Sequence, residues 1–293
     1  MKPRLFFVGA PKSGTTALTY FLKQHPQISM CEVKETNYFC RDLDMARPKT
    51  EAEYLSLFPI TEETKILADA SILAMYSHEA AAEIADYADD PKILMLLRNP
   101  VESMYSWHSQ MVYRGNEPIK CFQSALAAEP ERKQGRLIPE FETTQRVPQL
   151  LFYRDVMRYW EQVERYFSRF ERKNIHIVLY DDFKADTIET YGEILDFIGL
   201  DPFIPSVEKV NSNKFRRNEG LYLFVKKTFG KASRSLPSKL RLQLAMLFDR
   251  LNTTYAPRET LEPEVVQALK QECKPDIIKL ESLLDRDLSH WYQ

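Results

Sequence analysis

The chain begins with Arg4-Leu5-Phe6-Phe7-Val8-Gly9 and runs straight into Ala10-Pro11-Lys12-Ser13-Gly14-Thr15-Thr16. No other stretch restricts the possible folds as much. A short apolar strand without polar alternation is one covered on both faces. A glycine-bounded turn between such a strand and a helix gathers backbone N–H groups into one concavity, and the helix N-terminus adds the positive end of its dipole. Lys12 contributes a full charge and Thr15 and Thr16 contribute hydroxyl donors. The expectation is an anion site at the carboxyl end of a buried strand.

The rest of the chain extends that pattern. Apolar strands are expected at Arg4–Gly9, Lys65–Ala68, Lys92–Leu97 and Ile175–Tyr180. Helices are expected at Thr15–Gln24, His78–Tyr87, Val101–Tyr113, about Val147 to Phe170, Asp186–Leu200, Pro263–Cys273 and Asp276–Leu284. In the long helix, Val156, Trp160, Val163, Phe167 and Phe170 form one apolar stripe, read as core. Gly199 and Pro202 close the helix that starts at Asp186. Strand–helix alternation predicts an α/β, P-loop-like three-layer domain with a central parallel sheet flanked by helices. The chain is read as one domain, 1–293, with its core at about 4–220 and a helical C-terminal part at about 221–293. Residues Arg41–Lys49 and Asn116–Val147 read as excursions from it.

Composition excludes several function classes. Forty Lys and Arg against 42 Asp and Glu leave a net charge of −2, so a broadly basic nucleic-acid binder is not expected. Cys31, Cys40, Cys121 and Cys273 lie too far apart for a redox pair or a zinc knuckle and are read as reduced thiols. His25, before Pro26, is read as capping or packing at the end of the first helix; His78, His176 and His290 have no metal-ligand spacing, and no metal is expected. The longest apolar run, Ile93–Leu97, is far short of a membrane span, and Pro11-Lys12 cut short the apolar stretch that follows Lys2 and Arg4. A cytosolic protein without a membrane partner is the expectation, and the oligomeric state is left open.

A second anion-binding segment is Leu96-Leu97-Arg98-Asn99-Pro100-Val101-Glu102-Ser103-Met104-Tyr105-Ser106. Open α/β sheets bind ligands at strand carboxyl ends. Arg98 can fork onto a phosphate, Pro100 suits a first helical turn, and Ser106 falls two turns in. The two glycines of the first loop match GxxxxG of nucleotide P-loops, but nucleotide triphosphatases carry their lysine after the second glycine, where this chain has Thr15.

With its lysine between the glycines, GAPKSGTT resembles the 5′-phosphosulfate loop of sulfotransferases that use 3′-phosphoadenosine 5′-phosphosulfate. Arg98 and Ser106 match that family's strand-end arginine and helical serine, which grip the 3′-phosphate. The resemblance runs over about residues 4–220 and implies donor contacts from Lys12, Ser13, Gly14, Thr15, Thr16, Arg98 and Ser106. Lys34-Glu35-Thr36-Asn37-Tyr38-Phe39 is similar to the KE stretch of the heparan-type and bacterial branch, which implies Glu35 as general base, with His108 as the rival base. Asp69-Ala70-Ser71 stands where relatives often carry an acceptor-side Glu-x-Ser. Tyr180 stands where a strand-end tyrosine approaches adenine, and Arg216 and Arg217 lie in a basic stretch that resembles the loop closing over the 3′-phosphate.

The activity implied is sulfuryl transfer by in-line displacement to a hydroxyl or amine of a small-molecule or glycan acceptor, with Lys12 stabilising charge on the bridging oxygen. A small metabolite or natural product is the acceptor that a cytosolic compartment suggests. A P-loop kinase and a non-catalytic adenine-nucleotide binder stand as alternatives. The net charge itself is uneven: Lys209–Arg241 carry ten Lys and Arg against Glu219, hence +9, and the remainder −11. Such a basic flank suits a polyanionic donor.

Overall fold

The structure is a computed structural model and describes residues 1–139, 147–207, 214–218, 220–222, 225, 244, 247–256 and 258–293. Most of the basic segment Lys209–Arg241 and the end of the Asn116–Val147 excursion therefore lie outside the described residues.

Five parallel strands form the central sheet: β1 (Leu5–Gly9), β2 (Ile28–Met30), β3 (Ile66–Asp69), β4 (Lys92–Leu97) and β5 (Ile175–Leu179), in the order β2-β3-β1-β4-β5. β1 lies in the middle, with Leu5 beside Ala68 on one flank and Lys92 on the other. All five of its residues are buried, which explains its uninterrupted apolar sequence. Alternate residues serve opposite layers. Leu5, Phe7, Leu94, Leu96 and Val178 face α1 (Thr15–Leu22), α9 (Tyr180–Ala185) and α10 (Thr187–Ile198). Phe6, Val8, Ile93, Met95 and Leu97 face α3 (Ala80–Tyr87), α4 (Pro100–Tyr113), α8 (Tyr159–Phe167) and a C-terminal helix, α11 (Pro263–Leu284). The expected three-layer α/β architecture is what forms. A separate antiparallel pair joins β6 (Lys214–Arg216) to β7 (Thr253–Tyr255).

Three local readings are corrected. The edge strand β2 is too short to show in the pattern. The helix expected over Val147–Phe170 is broken into a 3-10 turn at Pro148–Leu151, α7 (Tyr153–Val156) and α8. Side-chain donors satisfy the carbonyls that the breaks release: Gln162 Nε2 donates to the carbonyls of Asp155 and Val156 at 2.9 and 3.2 Å, and Trp107 Nε1 to that of Leu150 at 2.8 Å. The apolar stripe is core as expected, with Val156 and Val163 fully buried. At the C-terminus the two expected helices are one, since α11 runs through Pro275. Burial of Leu269, Ile277 and Leu280 holds both halves on the same core, which outweighs the lost N–H.

Between these elements lie α2 (Glu51–Leu55), α5 (Phe122–Ala127) and α6 (Glu129–Lys133). The excursion that carries α5 and α6 is pinned by a fully buried ion pair: Arg132 meets Glu117 with both nitrogens, at 2.7 and 2.8 Å, and Tyr153 Oη donates to the same carboxylate at 2.6 Å. No described helix is long and apolar enough to cross a membrane.

Candidate active site

Because the five strands are parallel, their carboxyl ends share one edge of the sheet, and each feeds a segment singled out above: Lys12–Thr16 after β1, Lys34–Glu35 after β2, Ala70–Ser71 after β3, Arg98 after β4 and Tyr180 after β5. Strand order reverses direction around β1, the usual position of a ligand crevice in such sheets.

The loop after β1 is built for an anion. Gly14 is the N-cap of α1 in the left-handed region, φ 91°, and neither a capping side chain nor an acidic residue occupies the first turn. The Ala17 amide donates to the Gly14 carbonyl at 3.0 Å, so the amides an anion can take in that turn are those of Thr15 and Thr16. A Cβ on Gly14 would lie 3.0 Å from the Tyr180 ring, so glycine is required for close approach as well as for conformation. Lys12 is also left-handed, φ 66°, and its Nζ donates to Gln110 Oε1 at 3.3 Å. Burial, followed by the charges of Arg258, Arg114, Lys34 and Arg98, pulls the Lys12 ammonium down from 10.5 to about 8. So many cations around one partly buried lysine form a site suited to an anion. The Ser13 hydroxyl is fully buried beside Ser103 and Tyr159, so its offer to an anion is the backbone N–H.

Arg98 and Ser106 both follow β4, Arg98 at its end and Ser106 within α4. Asn99 caps α4 through its Oδ1 to Val101 N at 3.0 Å, and Pro100 takes the first turn as expected. The Arg98 guanidinium donates to the Lys12 carbonyl at 3.4 Å, pairs with Glu102 at 2.5 Å and lies 4.6 Å over the Tyr180 ring. Ser106 is buried, and its Oγ accepts from Arg258 Nη2 at 3.2 Å. Tyr180 starts α9 rather than ending β5. Its ring is therefore occupied by Arg98 and the Gly14 backbone.

On the acceptor side, Lys34 Nζ donates to Thr16 Oγ1 at 2.7 Å and lies 3.8 Å from Glu35 Oε1. One ammonium thus bridges the anion loop and the candidate base. Glu35 is left-handed, φ 63°, and its amide donates to the Ala70 carbonyl at 3.2 Å. His108 faces elsewhere: it is buried between Phe122 and Tyr153, and its Nε2–H donates to the Ile119 carbonyl at 2.8 Å. Burial also lowers its proton affinity. Asp69 and Ser71 are buried too.

The family model described as the sulfotransferase domain matches residues 2–222. The chain belongs to that family. Among its relatives, the membrane-associated sulfotransferase kil1 of Dictyostelium discoideum is 22% identical over 78% of this chain and 66% of its own length. Human heparan sulfate glucosamine 3-O-sulfotransferase 3B1 is 25% identical over 68% of this chain and 46% of its own. The chain thus spans at most about two thirds of these relatives. A solved sulfotransferase from Alicyclobacillus acidocaldarius covers the full length of both chains at 25% identity with a TM-score of 0.74.

In this member of the family the basic residue that reaches Ser106 is Arg258, which lies beyond the matched region and outside any sequence motif. Arg216 and Arg217 stand elsewhere. Arg216 lies between the rings of Tyr113 and Tyr222, at 3.9 and 3.7 Å, and is paired with Asp249 at 2.6 Å. Its charge is neutralised inside the β6–β7 unit, a fate that no local pattern signals. Arg217 is exposed and joins the unit through its amide, which donates to the Asn252 carbonyl at 2.8 Å. Lys34 is legible only as part of the KE motif. Its bridge to Thr16 depends on β2 and β1 being brought to one edge with β3 between them.

Proposed function

We propose that this chain transfers the sulfuryl group of 3′-phosphoadenosine 5′-phosphosulfate to a hydroxyl or amine of a carbohydrate or small-molecule acceptor. The observation that carries the reading is the Lys34 bridge, which sets the candidate base Glu35 and the anion loop at Thr16 against one another. The cation cluster fits the donor. Lys12, Gly14, Thr15 and Thr16 take the 5′-phosphosulfate, while Arg98, Ser106 and Arg258 take the 3′-phosphate, with Arg98 exchanging Glu102 for it.

Glu35 accepts the proton of the attacking oxygen or nitrogen as that atom bonds to sulfur and the bond from sulfur to the bridging phosphate oxygen breaks. Lys12 leaves Gln110 and stabilises the charge that grows on that oxygen. Lys34 holds the sulfuryl oxygens between Thr16 and Glu35, so that nucleophile, sulfur and leaving group stay in line. The acceptor class draws on the human relative, whose name specifies a glucosamine hydroxyl of heparan sulfate.

The test is thermal stabilisation by 3′,5′-adenosine bisphosphate compared with ATP and Mg²⁺. Stabilisation by the bisphosphate alone is expected; stabilisation by ATP and Mg²⁺ alone refutes the reading in favour of a kinase. Glu35→Gln is expected to keep bisphosphate affinity and to lose about 10²- to 10⁴-fold in turnover with labelled donor.

A further inference from the structure

We infer that Asp69 is a positioning residue for Glu35, acting through the hydroxyls of Thr36 and Ser71; this rests on Glu35 being the base. Asp69 ends β3, is 3% exposed and has no cation within ion-pair distance among the described residues. Its carboxylate is instead held by three hydroxyl donors: Thr36 Oγ1 and Tyr54 Oη on one oxygen at 2.7 and 2.8 Å, and Ser71 Oγ on the other at 2.7 Å. Burial raises its proton affinity, and the three hydrogen bonds oppose that rise.

A hydroxyl that donates to a carboxylate turns its lone pairs outward. Those of Ser71 and Thr36 accept the amides of Asn37 and Tyr38 at 3.0 and 3.3 Å. The Asn37 side chain in turn donates to the Glu35 carbonyl at 2.9 Å, and the Glu35 amide to Ala70 at 3.2 Å. Glu35 and Asn37 both occupy the left-handed region, φ 63° and 52°, which non-glycine residues hold only when their surroundings over-determine it. The buried carboxylate supplies that constraint. Asp69 selects the one orientation of two hydroxyls that locks the backbone on both sides of Thr36, and with it the direction of the Glu35 side chain. The residue is thus a support placed beneath the base.

Asp69→Asn replaces an acceptor by an amide donor facing three hydroxyls and is the first variant. Thr36→Val, which removes one link of the same chain, is the second should Asp69→Asn fail to fold, and Thr36→Ser is the conservative control. Hydrogen exchange of the 35, 37 and 38 amides is expected to quicken about 10-fold or more in Asp69→Asn and Thr36→Val and to stay near wild type in Thr36→Ser. Exchange at Lys12–Thr16 and affinity for 3′,5′-adenosine bisphosphate are expected to stay unchanged. With labelled donor and partially N-deacetylated heparosan, which offers hydroxyls and amines, kcat is expected to fall about 10- to 100-fold with donor KM unchanged. In a Glu35→Gln background Asp69→Asn should cost nothing further, since it acts only through that carboxylate. Wild-type exchange at 35–38 overturns the inference whatever the turnover, and so does additive loss in the double variant. Full turnover in Glu35→Gln instead overturns the assignment of the base, a different failure.

Discussion

Filling the donor site must change the protonation of Lys12. In the free protein its ammonium titrates at about 8 against an ordinary 10.5, chiefly because it is buried and then because four cations surround it. That displacement favours the neutral amine by roughly 3 kcal/mol at about 1.4 kcal/mol per tenfold change in proton affinity. A folded-state value below the unfolded one means that the unfolded chain holds more protons between pH 8 and 10.5. The free protein therefore gains stability as pH rises through that window. A bound bisphosphate sets negative charge against those cations and restores the ammonium. If the ordinary value is regained, uptake is ~0.1 proton per site at pH 7, ~0.5 at pH 8 and ~0.9 near pH 9, falling again above pH 10. Calorimetry of 3′,5′-adenosine bisphosphate in buffers of different ionisation enthalpy measures this directly. Lys12→Met is expected to abolish the uptake at pH 8–9 and to weaken binding. No uptake in the wild type, or equal uptake in Lys12→Met, refutes the description of Lys12 as an ammonium disfavoured by burial and neighbouring cations and restored by a bound anion.

Arg258→Ala should weaken 3′,5′-adenosine bisphosphate about 10- to 100-fold, the worth of charge-assisted bonds to a phosphate, yet leave adenosine 5′-monophosphate unaffected; equal losses for both nucleotides would place Arg258 away from the 3′-phosphate. Gly14→Ala forces a side chain into φ 91° and against the Tyr180 ring at 3.0 Å, and roughly 1–3 kcal/mol of stability should be lost in denaturant titration together with nucleotide affinity. Arg132→Met leaves the Glu117 carboxylate buried without its cation, so stability should fall by about 3–5 kcal/mol while nucleotide affinity holds; a loss below about 1 kcal/mol would contradict the pair's burial.

Much of this molecule was legible before its structure. A strand buried on both faces is apolar nearly throughout, and β1, β3 and β4 announce themselves for that reason. The glycine loop and the capped start of α4 are equally local devices, so Lys12–Thr16 and Arg98 could be located by spacing. Helix continuity was less legible, because the breaks at Phe152 and Arg158 depend on donors such as Gln162 and Trp107, and the continuation through Pro275 depends on burial of Ile277 and Leu280.

The candidate site divides along the same line. Sequence by itself determined the chemistry on offer: an anion loop with a displaced lysine, a strand-end arginine and a carboxylate in a KE motif. Only the tertiary structure decided which groups meet. It turned Ser13 and His108 inward, paired Arg216 with Asp249, brought Arg258 to Ser106 and placed the Asp69 carboxylate beneath the Glu35 loop. The physical reason is reach. A turn or a cap is set by neighbours a few residues away, whereas the partner of a charge is whatever the packed sheet brings within about 3 Å of it, however distant along the chain.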